Sequence, residues 1–237
     1  MSRSRLSRPR RFPRRGPRLA AVGCAALTAL GTLTACSGLE PERDNSPLRE
    51  QPVTISVNSS SIGQMVLGEM YQQVLAGEGR QTFLSLENAA AAGDRLARLN
   101  ENKADLMVGC TGHMLYQLYP EKAREISEEY VARRDDPNAG DFSQLTYDEF
   151  VGALPGYLAV PDPSSAQGCS QADGTPELPQ NIIPIYHKEL FDREELKAIT
   201  EAGRLLTTAD LQEMAEEAER RGSVPEVVAE WVASQPI

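Results

Sequence analysis

The chain has 237 residues and a formal net charge of −10 at pH 7, from 24 Lys and Arg against 34 Asp and Glu. Eight arginines and no acid fall in residues 1–35, so the remainder holds 16 basic against 34 acidic residues, a net charge of −18. So negative a surface repels phosphate backbones and argues against nucleic acid as a partner; the roughly 200 residues that carry it suffice for one core.

At the N-terminus the eight arginines lie within 18 residues, and residues 19–33, LAAVGCAALTALGTL, are apolar or small throughout. A basic stretch followed by an apolar one too short for a permanent membrane span reads as an export signal. LTAC, residues 33–36, resembles the lipobox of bacterial lipoproteins, whose cysteine receives a diacylglyceryl group and becomes the new N-terminus. The resemblance implies a signal peptide over residues 1–35, lipidation at Cys36, and a protein held by lipid on the extracytoplasmic face of the cell membrane. The arginine pairs leave Sec and twin-arginine export both open. Residues 36–52 are polar and Pro-bearing, and read as a flexible tether.

Residues 53–58, VTISVN, alternate and are β-branched, which predicts a strand. A broad apolar face predicts a helix over 62–78. Residues 80–86 form a second predicted strand, 89–102 a helix with Leu96 and Leu99 inward, and 105–109 a third strand. Strand, helix, strand, helix, strand is the pattern of a parallel α/β sheet. Helix continues over 111–134 with a break near Pro120, and again over 145–154 with Thr146 as its cap. Residues 156–180 hold several prolines and glycines and at most a short strand at their start; 181–190 reads as a strand. Three helices close the chain, with caps at Asp192 and Glu195, Thr207 and Asp210, and Ser223 and Glu226.

Cys110 and His113 follow the third strand at the spacing of a nucleophile and its base, half a disulfide, or ordinary packing. With Cys24 in the signal and Cys36 lipidated, Cys110 and Cys169 remain, and an even pair in an exported chain reads as a disulfide. No motif supplies a third residue to orient His113 for catalysis. His187 is the one other histidine and lies in a strand, so no metal site is expected. The acids Glu216, Glu217 and Glu219 read as a solvated helix face.

Several segments together resemble the substrate-binding proteins of ABC importers for glycine betaine, choline and related osmoprotectants. TISVNSSSIGQMVLGEMYQQVLAGEG (54–79) is similar to the family's opening strand, Ser/Asn-rich turn and first helix. ADLMVGCTGHML (104–115) stands where the family has an aromatic-bearing turn, LPGYLAVPDPSSAQ (154–167) resembles its crossover, and residues 181–232 resemble its last strand and helices. The resemblance implies the type II periplasmic-binding-protein fold: two α/β lobes that close on a solute. Here residues 167–180 alone lie between the crossover and the returning strand. A lobe needs on the order of 100 residues. The expectation is one lobe, residues 53–237, with residues 167–180 as a short loop in place of the second.

A quaternary ammonium is held by converging aromatic faces, and the family's aromatic positions fall here on Met107 and Cys110. Trp231 and Tyr71 lie on helix stripes and read as core. Tyr157 and Tyr186 flank the crossover and returning strands and are candidates to line a remnant cleft. Asn58, Ser59, Ser60 and Ser61 lie between the first strand and its helix, where they are either caps or ligand contacts; Gln64, Thr111 and His113 share that rim. The implied function is a membrane-anchored solute-binding lipoprotein, neither enzyme nor cofactor-bound, that presents a small zwitterionic or quaternary ammonium solute to an ABC permease. The alternative is a surface interaction lipoprotein that kept the fold and lost transport. An open shelf, lacking a facing lobe, would bind weakly.

Overall fold

The computed structural model describes residues 47–87, 95–169 and 175–237. The expected signal peptide, Cys36 and the first part of the tether lie outside the described residues, as do the start of the helix expected from 89 and residues 170–174 of the loop.

Five strands form one sheet in the order β2-β1-β3-β5-β4. They are β1 (Val53–Asn58), β2 (Thr82–Glu87), β3 (Leu106–Cys110), β4 (Leu158–Ala159) and β5 (Ile182–His187). β1 pairs in parallel with β2 and β3, and β5 pairs antiparallel with β3 and β4. The sheet is thus mainly parallel, with β5, the returning strand, running against the rest. Parallel neighbours require crossovers, and α1 (Ile62–Gly77) and α2 (Arg95–Asn100) supply them.

Helices cover both faces of the sheet. Leu106, Val108 and Cys110 of β3 join α1 and the C-terminal helices in one apolar cluster. Met107 of β3 and Ile183 and Ile185 of β5, at the opposite parity, join the second cluster. That cluster is completed by α2 and by α3 (Thr111–Leu118), α4 (Pro120–Arg133) and α5 (Phe142–Ala153). Two buried faces explain why β3 is buried at every position and β5 at every position but its last. Pro184 fits into β5 because Ile182, two residues earlier, directs its N–H and C=O outward to Ala166 and Ser164. By the same alternation Pro184 would aim its missing N–H outward as well. α1 lies so close to β1 that a Cβ at Gly68 would stand 2.1 Å from a methyl of Val57.

The helix between β3 and β5 breaks at Tyr119, as expected, with Pro120 opening α4. α5 corrects an expectation. It begins at Phe142 with Asp141 as cap, whose side chain accepts from Ser143 and Gln144 N–H. Thr146 is not a cap: it is buried inside the helix and donates to the Phe142 carbonyl at 2.7 Å. α6 (Arg193–Leu205) and α7 (Thr208–Arg221) carry the reciprocal caps expected of Asp192/Glu195 and Thr207/Asp210. The third expected box is absent. Ser223 precedes α8 (Val224–Ser234) without a side-chain cap bond, and Glu226 turns to Arg221 at 3.2 Å.

The end of the tether is also more ordered than its composition implied. A 3-10 turn, Pro47–Arg49, docks on the domain because the buried Arg80 donates to the carbonyls of Leu48, Arg49 and Leu190. Arg80 also faces Glu195 at 3.4 Å, so one guanidinium joins the entry to the domain and the α6 cap.

Candidate functional site

β1 and β3 end at one rim of the sheet, where a cavity of about 300 Å³ opens. In open α/β sheets ligands sit at the carboxyl ends of strands, outside the rim. Asn58 ends β1, and Ser61 caps α1 by accepting the Gln64 N–H at 3.3 Å. Gln64 stands one turn further on. All three line the cavity, as does His113 of α3.

Arg95, at the start of α2, forms the buried part of the wall. Its Nη1 donates to Gln64 Oε1 at 2.8 Å and to the Val108 carbonyl at 2.9 Å, and its Nη2 donates to the Ser56 carbonyl at 2.6 Å. One side chain thereby ties the ends of β1 and β3 to α1. Burial pushes the guanidinium pKa down, and the negative charge of Glu87 opposes that push; an arginine stays charged under such a shift. Glu87, at the end of β2, is buried, takes a 2.5 Å hydrogen bond from Ser56 Oγ and forms an ion pair with Arg98. The positive field of Arg95 reaches the cavity. His113 is held below the ordinary histidine range, first by desolvation and then by that cation.

The opposite wall comes from the segment between β4 and β5. Cys169 is joined to Cys110 by a disulfide, with the two Cα atoms 6.1 Å apart, and Gly168 and Cys169 line the cavity. The flanking residues are laid against α3. Thr111 N–H donates to the Asn181 carbonyl, Gly112 N–H to the Pro179 carbonyl, and His113 N–H to Gln180 Oε1. A Cβ on Gly112 would meet Leu178 and the Pro179 carbonyl at 2.7 Å, so glycine is what permits the approach.

No family model and no curated protein matches the sequence. Solved structures do match it. The apo form of YehZ from Escherichia coli is similar over 78% of this chain and 99% of its own, with TM-score 0.55 and 10% identity. A glycine betaine/carnitine/choline ABC transporter structure aligns over 77% of this chain and 97% of its own, with TM-score 0.46 and 15% identity. Lactococcal OpuAC, in its closed form with glycine betaine, aligns over 78% and 96%, with TM-score 0.43 and 12% identity. The chain shares the fold of YehZ, a mainly parallel α/β sheet covered by helices. Among the described residues this fold is present as one five-stranded sheet.

Of the residues singled out in the sequence, the fold brings Asn58, Ser61, Gln64 and His113 together at the cavity. The others are placed differently. Ser59 Oγ donates to the Glu87 carbonyl, and Ser60 bonds back to Asn58 Oδ1. Thr111 is buried and its hydroxyl serves the Pro179 carbonyl and the Asn181 N–H. Tyr186 pairs with Leu106, the first residue of β3, and so sits at the far end of the sheet from the rim. It packs edge-on against Phe191, and burial raises its phenol to about 12. Tyr157 lies at the same far end, stacked on His187 and donating to Asn100. Neither tyrosine lines the rim cavity. Cys110 has no thiolate to offer while bonded to Cys169, so Cys110 and His113 are not a nucleophile and base. Tyr71 is fully buried, and Trp231 packs at the edge of the core.

Arg95 and Glu87 were missed by sequence reasoning. A signal for Arg95 existed: it stands four residues before the inward Leu99, on the same helix face. Nothing in the composition of 167–180 placed that loop beside the rim, apart from Cys169.

Proposed function

We propose that this chain is the solute-binding component of an importer, anchored through Cys36 on the extracytoplasmic side of the membrane. It holds a small solute of the zwitterionic or quaternary ammonium osmoprotectant class in the rim cavity and presents it to an ABC permease. The observation that carries this reading is the position of the cavity, at the carboxyl ends of β1 and β3 and against the N-terminus of α1, in a binding-protein fold. Polar groups of Asn58, Ser61 and Gln64 face that space and suit a polar head group. Calorimetry with glycine betaine, choline, carnitine and proline is the test. Binding of at least one in the micromolar to millimolar range is expected; no heat with any of them sinks the reading.

A second reading, a surface interaction lipoprotein without transport, is favoured by one observation. The cavity lining holds no Phe, Tyr or Trp, so the converging aromatic faces that grip a quaternary ammonium are not present among the described residues. In that case the chain binds none of the four solutes and instead keeps a protein partner on the membrane.

A further inference from the structure

We propose that the rim cavity recognises a carboxylate, through Arg95, and that its ligand is a small organic acid for which a cationic head group is dispensable. This rests on the solute-binding reading of the same cavity and names what that site selects.

The first ground is charge. The described chain is strongly acidic, yet the cavity lining contains no Asp or Glu, and its permanently charged group is Arg95. A site built for a cation would carry carboxylates or aromatic faces, and this lining has neither. The second ground is the pairing of the buried charges. Glu87 gives its ion pair to Arg98, while Arg95 donates to neutral acceptors on Gln64, Val108 and Ser56. Arg95 has no carboxylate in ion-pair contact among the described residues, although it is 9% exposed, and its Nε–H is buried without a hydrogen-bond partner. Glu87 acts on Arg95 through its charge but gives its ion-pair contact to Arg98, so the burial cost of the guanidinium is offset only in part, and an anion arriving beside it recovers more of that cost. The third ground is local polarity. Ser61, the cap of the 16-residue helix α1, lies on the same cavity. The positive end of that helix therefore adds to the field of Arg95. Desolvation and the same cation lower the His113 pKa, so Arg95 is the charge of the lining that an incoming anion would meet.

Four probes separate charge from shape: glycine betaine, its carbon isostere 3,3-dimethylbutyrate, choline, and choline's carbon isostere 3,3-dimethyl-1-butanol. Titrated into the unmodified full chain by calorimetry at low salt, both carboxylates are expected to bind at least about tenfold more tightly than the two alcohols, as loss of a charge-assisted hydrogen bond implies. Arg95→Gln is expected to abolish that preference, with circular dichroism confirming that the variant is folded. The probe series on the unmodified chain decides the matter even if the variant does not fold. Binding of glycine betaine and choline without 3,3-dimethylbutyrate would overturn carboxylate recognition while leaving osmoprotectant binding intact. Binding of 3,3-dimethylbutyrate without glycine betaine would support carboxylate recognition and remove the osmoprotectant. Silence from all four overturns both.

Discussion

Two residues at the rim show how little chemistry is needed to shape the site, and both make predictions. Gly112 lets residues 178–180 approach α3, and a methyl there meets the Pro179 carbonyl at 2.7 Å. Backbone cannot give way as a flexible side chain can, so Gly112→Ala is expected to cost about 1–3 kcal/mol in urea unfolding; an unchanged midpoint would mean that the segment does not rest where it is placed. His113 titrates below the ordinary value of about 6.5, first because burial strips water from the charged imidazolium and then because protonation would add a second cation beside Arg95. A base whose folded pKa is depressed takes up protons more readily when unfolded. Its contribution to stability is therefore complete above about pH 6.5 and is lost as pH falls through the folded value. Imidazole shifts followed by NMR should give His113 a midpoint below 6.5, and a bound carboxylate should move that midpoint upward. At this scale the sequence was only partly legible. Asn58 and Ser61 were readable as rim residues because a strand end followed by a helix start is a local pattern, whereas Gln64 came from the family resemblance. Arg95 acts over 39 residues of sequence on the Ser56 carbonyl, and no local pattern announces that.

At the scale of elements, the helix starts offer a matched pair. Asp192 accepts the Glu195 N–H at 2.9 Å and the Glu195 side chain returns the bond, whereas Ser223 makes no cap bond. Asp192→Ala is expected to lower stability by about 1 kcal/mol and Ser223→Ala to leave it unchanged within error; equal effects would contradict the cap assignments. Both sites carry the same cap spelling, so the sequence could not separate them: at Ser223 the acid three residues on pairs with Arg221 instead. Tyr157 and Tyr186 failed as cleft residues for a related reason. Their strands were readable, but β5 runs against β3. Its late residues therefore lie at the amino end of β3, and strand direction is not written in a strand's composition. The disulfide ties β3 to the β4–β5 segment across 59 residues of sequence. Closing a loop of that length removes about 4 kcal/mol of unfolded-state freedom. Cys110→Ser/Cys169→Ser, or full reduction, should show most of that loss in chemical denaturation. Solute affinity should fall too, because Cys169 is part of the cavity wall.

At the scale of the whole molecule, the fold was legible because its pattern is repetitive. Alternating strands and helices require crossovers, and continuous apolar strands require a covered sheet. The clusters on both faces meet that requirement. What was not legible is the fate of the cleft. Chain length between crossover and returning strand implied an open shelf. In the structure the pinned segment instead gives the shelf a second wall, leaving about 300 Å³. On the proposed solute-binding reading, the solute lies between the rim of β1 and β3 and the segment pinned by Cys169. The most direct test of that reading is backbone amide mapping by NMR on the chain as glycine betaine or 3,3-dimethylbutyrate is added. The account predicts saturable shifts at Asn58, Ser61, Gln64, His113 and Gly168, on both walls of the rim. Shifts confined to residues away from the rim, such as Glu213 and Trp231 in the groove that α7 and α8 line, or no saturable shifts anywhere, would contradict it.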